Sequence, residues 1–414
     1  MQHVIIGNGP AGVVAAETLR KLAPADQVTL IGDEAEPPYS RMAIPYLLAG
    51  NIDERGTHLR KSPGHFDAMG IKLVNARVIK LDSKARQLTL ADGGKLAFDR
   101  LLIATGSRPL RPPGFDLPGV HCCWTMADAR DIMALAKPGA RVLQIGAGFI
   151  GCILLEALVK RGVQLTVVEM GDRMVPRMMT EAAGGMIRRW VEAKGVKVHV
   201  NTQVANLRAQ GGAIVATLGS GEELGADLVI VAAGVKPELG FLDGSGVATA
   251  LGVLVDLSAQ SSVAGIYAAG DVAEMADFHS GQPALNAIQP NAADQARVAA
   301  SNMAGRKAVV AGTLAINVLD TLGMISTSFG QWWGGEGSDG VELADEQRHR
   351  YLSLKFKGEV LIGATSIGWT DHVGALRGLI QGKVRLGSWK QRLLTDPTQF
   401  MAAYLGAAQK AGAV

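Results

Sequence analysis

The chain has 414 residues, 48% hydrophobic and 19% charged, with a formal net charge of +3. This composition supports a sizeable core, excludes intrinsic disorder, and at this length predicts about two to three domains. Three cysteines, Cys122, Cys123 and Cys152, exclude a disulfide framework and offer no metal-ligand spacing.

The first strand begins almost at Met1, leaving no room for a leader, and no apolar run nears the roughly 20 residues that span a bilayer. A cytoplasmic protein without membrane insertion is expected. Residues 2–6 read as a buried parallel strand and 10–23 as a helix, joined by Gly7-x-Gly9-x-x-Gly12. Gly7 serves the tight turn, Gly9 lets a pyrophosphate approach the backbone, and Gly12 lets helix and strand come close. The helix N-terminus presents free N–H groups to phosphate. VTLIGDE (28–34) reads as the second strand. Its end should offer a carboxylate to a ribose, and with Gly32 at the usual place Asp33 is the first choice and Glu34 the second. Arg41 in PPYSRMAIPYLLAG suits a phosphate or flavin-edge contact, since its fork binds oxyanions in two places. LVNARVIKLD (73–82) and GKLAFDRLLIATGSRP (94–109) read as strands, the latter ending at Ala104-Thr105-Gly106. The Pro- and Gly-rich 111–119 reads as a linker.

The same glycine pattern returns 139 residues later as Gly146-x-Gly148-x-x-Gly151. One copy is a weak signal; two, each between a strand and a helix, predict two dinucleotide sites. LTVVEMGDR (165–173) ends its strand in Glu169, whose carboxylate can accept from both hydroxyls of an adenosine ribose and repels a 2′-phosphate. NADH is therefore expected over NADPH, with Arg173 able to blunt the preference. Residues 226–237 close the module at Gly234 and Pro237. A strand then delivers Gly270-Asp271, and a helix over 288–305 starts where it can face the same ligand. Residues 314–414 read as a further α+β domain. Its end carries six basic side chains (Arg377, Lys383, Arg385, Lys390, Arg392, Lys410) against Asp396 alone, either a solvated face or a surface for an acidic partner.

GNGPAG, ATGSRP, GAGFIG with VVE, AAGVKP and GIYAAGD occur together in this order over residues 2–305. The chain thus resembles the FAD/NAD(P)H oxidoreductases of the pyridine nucleotide–disulfide reductase superfamily, in the branch of nitrite reductase flavin domains and rubredoxin or ferredoxin reductases. The resemblance implies an α/β fold with two Rossmann-like dinucleotide-binding domains and a C-terminal α+β domain. It implies a split FAD domain, 1–112 and 238–318, an inserted NADH domain, 113–237, and a last domain, 319–414. It implies FAD contacts from Gly7, Gly9, Pro10, Ala11, Gly12, Asp33, Glu34, Arg41, Val78, Ala104, Thr105, Gly106, Gly270, Asp271, Asn291 and Ala292. Gly146, Gly148, Ile150, Gly151, Glu169 and Gly234 would hold NADH. Hydride would pass from nicotinamide to flavin, the protein supplying orientation and electrostatics.

Three departures qualify it. Met42 and the absence of any cysteine before Cys122 remove the family's disulfide chemistry, and Cys122-Cys123 reads as two buried thiols. Tyr46 stands where relatives with ferredoxin-type partners carry a lysine, leaving Lys61 and Arg108 as candidate cations. Ile153 stands where relatives carry a glutamate beside the nicotinamide, with Glu156 one turn on. Trp332 and Trp333 suit packing or cover for the flavin, and Asp371-His372 a helix start or a proton relay. The expected function is FAD-dependent transfer from NADH to a separate redox protein, of ferredoxin or rubredoxin type or a reductase subunit. Reduction of oxygen or a quinone, and an FAD-bearing subunit or sensor without catalysis, are the alternatives. NAD(H) and a protein electron acceptor are the expected partners, a homodimer is allowed, and no nucleic acid is expected.

Overall fold

The structure is a computed structural model that describes residues 1–411. The side chain of Lys410, part of the basic C-terminal stretch, lies outside the described residues. The chain forms two compact units. One comprises Met1–Leu47, Asn51–Pro109 and Val235–Leu314; the other comprises Leu48–Gly50, Leu110–Gly234 and the chain from Ala315 onward.

In the first unit a five-stranded parallel sheet runs in the order Ile266–Ala268, Arg100–Ile103, Gln2–Ile6, Gln27–Gly32, Ile71–Asn75. Four of its strands are mostly buried and apolar, as a sheet covered on both sides requires, while the edge strand Ile71–Asn75 is largely exposed. Ile5, Leu30 and Leu102 pack under the helices Pro10–Leu22 and Gln289–Met303. Val4, Ile6, Leu101 and Ile103 turn to the opposite face, against Leu81 and Leu88 of an antiparallel meander, Val78–Ala97, and Phe98 just after it. Alternation by one residue thus sends neighbours into two cores, each buried side chain contributing about 1.5–3 kcal/mol. The segment 73–82 is broken at Ala76-Arg77, its halves entering two different sheets.

The second unit repeats this plan. Its parallel sheet runs Lys197–His199, Gln164–Val168, Arg141–Ile145, Leu228–Val231, Val120–His121, with a meander at Val204–Ala226. Only the outer strand differs in origin, coming from before the repeat rather than after it. The same unit holds a five-stranded antiparallel sheet, Ile316–Thr321, Met324–Gly330, Val360–Ile367, Arg350–Lys357, Asp339–Asp345. The helices Val373–Gln381, Ser388–Thr395 and Phe400–Ala411 follow. Trp190 of the helix Glu181–Ala193 donates to the carbonyls of Thr321 and Leu322 at 3.1 Å, and Thr180 bonds the Tyr351 hydroxyl at 2.8 Å. These contacts tie the antiparallel sheet to the repeat.

The basic stretch is partly neutralised where it stands. Arg385 pairs with Glu359 at 3.1 Å and Lys390 with Asp339 at 2.8 Å, while Arg392 lies over the Trp389 ring. Trp332 is buried, Trp333 is 61% exposed, and their rings meet edge to face at 5.5 Å. Asp371 and His372 are exposed, and His372 starts its helix without a side-chain cap. Among the described residues no helix is long and apolar enough to cross a membrane.

Candidate dinucleotide sites

Both glycine loops are built alike. Gly7 (φ +108°) and Gly146 (φ +102°) end their strands in a region that favours glycine, and a Cβ on either would strike a carbonyl, Ala104 at 2.1 Å or Ala232 at 2.3 Å. A Cβ on Gly12 would lie 1.8 Å from the Gly7 oxygen and one on Gly151 2.4 Å from the Gly146 oxygen, so both helices pack directly on their loops. Gly9 and Gly148 meet nothing within 4 Å. Each is an extended N-cap, with (φ, ψ) of (−73°, −171°) and (−73°, −167°), and neither helix start has a side-chain cap. The first-turn N–H groups are left for a ligand, and the partial positive charge there favours phosphate. The residues present fit a dinucleotide pyrophosphate at both places.

The loops differ beside the ribose. The Gly7 N–H bonds the Ile31 carbonyl and the Gly146 N–H bonds that of Val168, both at 2.8 Å, so Gly32 and Glu169 are equivalent positions. Glu169 accepts the Ala147 and Gly171 N–H groups at 2.7 Å each. In the first loop Asn8 takes the place of Ala147, and its side chain covers Gly32. Asp33 is exposed. Glu34 accepts Arg41 Nη2 at 2.7 Å and the Tyr39 hydroxyl at 2.6 Å.

Gly270 (φ +83°) lies between two helix starts, a Cβ there being 3.2 Å from Ala11 and 3.7 Å from Ala292. Its N–H donates to Gln295 Oε1 at 2.8 Å. Asp271, next in sequence, is half-buried; burial pushes its carboxyl pKa up and the Arg41 charge opposes the shift. Thus Pro10, Ala11, Gly270, Asp271 and Ala292 come together. Asn291 is spent on the Asn286 and Leu314 carbonyls at 3.0 and 3.1 Å. Val78 has its side chain in the core. Ala104 backs onto Gly7, Thr105 donates to the Glu238 carbonyl at 3.2 Å, and Gly106 (φ +64°) turns the chain. Arg108 pairs with Glu238, which leaves Lys61 exposed as the other cation considered. Tyr46 is exposed.

In the second loop Ile150 and Ile153 are half-buried and Glu156 is exposed. Gly234 (φ +105°) accepts the Leu110 N–H at 2.8 Å. The cysteines all lie in the second unit, and burial raises each thiol pKa, that of Cys123 to about 12. The sequence reading passed over Asn8, Tyr39 and Gln295. Asn8 was detectable as the one position where a polar side chain replaces an apolar residue of the other fingerprint.

Comparison with known proteins places the chain. It is 30% identical over 401 residues to the epsilon subunit of NADH-dependent phenylglyoxylate dehydrogenase from Aromatoleum evansii, covering 96% of this chain and 95% of that protein. It is 34% identical over 305 residues to the ferredoxin–NAD(+) reductase component of the biphenyl dioxygenase system of Paraburkholderia xenovorans (strain LB400), covering 72% and 74%. The fold matches that in the crystal structure of the covalent putidaredoxin reductase–putidaredoxin complex, with a TM-score of 0.89 at 23% identity over 97% of this chain and 98% of that one. The sequence profile of the pyridine nucleotide-disulphide oxidoreductases matches residues 1–300, and the chain belongs to that family.

Proposed function

We propose that this chain is an FAD-dependent oxidoreductase that exchanges electrons between NADH and a separate redox protein, either a small iron carrier or another subunit of one complex. The observation that carries the reading is the pair of open, uncapped helix starts at Gly9 and Gly148, combined with thiols of raised pKa that are buried at Cys122 and Cys152 and half-buried at Cys123. The two helix starts suit two dinucleotides, and none of the three cysteines belongs to the unit of the first fingerprint. The similarity to the dehydrogenase subunit extends over the antiparallel domain as well, whereas that to the ferredoxin reductase component covers three quarters of the chain.

In this reading residues 1–112 and 238–318 hold FAD, 113–237 hold NADH, and 319–414 form the last domain. The first-turn N–H groups of the helix Pro10–Leu22 take the FAD pyrophosphate. Asp271 accepts ribityl hydroxyls, Arg41 offsets its charge, and Asp33 is the exposed carboxylate beside the adenosine ribose. Glu169, with one lone pair of each oxygen already taken by backbone N–H, accepts the ribose hydroxyls of NADH and repels a 2′-phosphate. Bound FAD supplies the conversion between two-electron hydride chemistry and one-electron transfer. Buried free thiols suit a reducing, cytoplasmic location.

Anaerobic rapid mixing of the FAD-loaded protein with NADH tests the proposal. The flavin absorbance should bleach, and a [2Fe–2S] ferredoxin or a rubredoxin should restore it faster than oxygen or a quinone does. Fastest return with oxygen or quinone would make it an oxidase or small-acceptor reductase. No bleaching with NADH or NADPH would leave an FAD-bearing subunit without catalysis.

A further inference from the structure

The loop after Glu169 carries two arginines, and only Arg177 is exposed. Arg173 is folded back. Its stem lies against Gly184 of the helix Glu181–Ala193, where a Cβ would come within 2.9 Å of both Arg173 Cβ and Cδ. Its Nε donates to the Met179 carbonyl at 3.0 Å and its Nη2 to the Pro176 carbonyl at 3.3 Å. Its Nη1 donates to both Asp172 carboxylate oxygens, at 2.7 and 2.9 Å. All these contacts fall within residues 172–184, so one side chain closes the loop onto itself and onto the start of the helix. At the loop's other end, Glu169 is fixed by the Ala147 and Gly171 N–H groups.

We propose that Arg173 is a positioning and specificity-determining residue of the second nucleotide site. It staples residues 169–179 in the shape that presents Glu169 to a ribose 2′-hydroxyl, while Asp172 holds its charge away from a 2′-phosphate. The proposal rests on the NADH reading above. A 2′-phosphate carries up to about two negative charges and needs a cation to offset its desolvation. Glu169 is a carboxylate at that place, and the arginine four residues on is committed to its staple. The planar fork serves three separate groups from three different nitrogens, a spread that the single nitrogen of a lysine does not span.

The test uses FAD-loaded protein, with calorimetric titration of ADP and of adenosine 2′,5′-bisphosphate, and hydrogen exchange of the amides of 170–180. Wild-type protein should prefer ADP. Asp172→Asn should tighten the bisphosphate relative to ADP by roughly ten- to thirtyfold, the scale of one charge-assisted contact. Arg173→Met and Arg173→Lys should both weaken ADP several-fold and speed exchange across 170–180, with FAD content unchanged. Arg177→Gln should leave the ADP preference as it was. The staple is overturned if exchange in Arg173→Met matches wild type while ADP still binds. The charge-holding role is overturned if Asp172→Asn leaves the preference unchanged, or if Arg177→Gln shifts it. Failure of wild-type protein to bind either nucleotide overturns the NADH reading and this proposal with it.

Discussion

Asn8 and Gly32 occupy one space: a Cβ on Gly32 would lie 2.1 Å from Asn8 Nδ2 and 2.4 Å from its Cγ. In the other repeat the pair is inverted, alanine in the loop and Glu169 at the strand end. The first loop thus fills with an amide what the second fills with a carboxylate. Gly32→Ala should displace Asn8 and cost about 1–3 kcal/mol, the usual range for overpacking. Asn8→Ala with Gly32→Ala should recover most of it. Denaturant unfolding of both singles and the double measures the coupling; simple additivity would reject the shared space.

Gln295 is 3% exposed and its Oε1 holds the Gly270 N–H. A Cβ at Gly270 would press on Ala11, so the backbone passes close to that helix start, and this bond fixes where Asp271 begins. Gln295→Leu leaves a buried N–H unsatisfied and should cost about 1–3 kcal/mol of stability. FAD retention on gel filtration should fall beyond what the thermal shift explains. Equal FAD affinity in wild type and Gln295→Leu would limit the residue to packing.

The repeat was legible because strand–glycine–helix grammar is local: glycine positions, alanine-rich helices and apolar strands each follow from nearby backbone demands. Asp271 was legible through resemblance. Gln295 was not, because its partner lies 25 residues away and a glutamine inside an alanine-rich helix carries no periodic signal. Likewise Glu34 reads as a free ribose carboxylate until Tyr39 and Arg41 turn back upon it. The helix Ser388–Thr395 has no sequence signal of its own, because only Leu393 of its residues is buried and no apolar stripe results.

Glu17 on the first fingerprint helix accepts Arg60 Nε and Nη2 at 2.6 Å each, with His65 Nε2 at 2.9 Å. Burial pushes its carboxyl up, but the bonds and charges of Arg60 and His65 outweigh burial and hold it below the ordinary 4.5. A carboxylate with a lowered folded pKa stabilises above the unfolded value, and this is lost as pH falls through the folded value. Arg60→Met should therefore cost about 1–3 kcal/mol at neutral pH, with the gap to wild type closing in acid. Unfolding midpoints from pH about 7 down to about 3 would show the gap. A gap constant across that range would remove Glu17 from the account.

Asp271 shifts the other way. Burial raises its pKa above the ordinary 3.8, and the Arg41 charge recovers only part. Between the ordinary and the raised value the folded chain holds a proton that the unfolded chain has lost, so stability of FAD-free protein falls as pH rises through that window. Above it the charge must be buried. Asp271→Asn removes that cost, so the FAD-free variant should unfold at a higher temperature than wild type at neutral pH, with the difference vanishing below 3.8. The same change loses a charged acceptor for ligand hydroxyls and should weaken FAD by roughly ten- to a hundredfold, the scale of hydrogen bonds to a charged group. Opposite signs for fold and ligand are what a binding carboxylate predicts, since the site keeps a charge that the fold alone would discard. A variant less stable without FAD, or one that holds FAD as tightly as wild type, would assign Asp271 to structure instead.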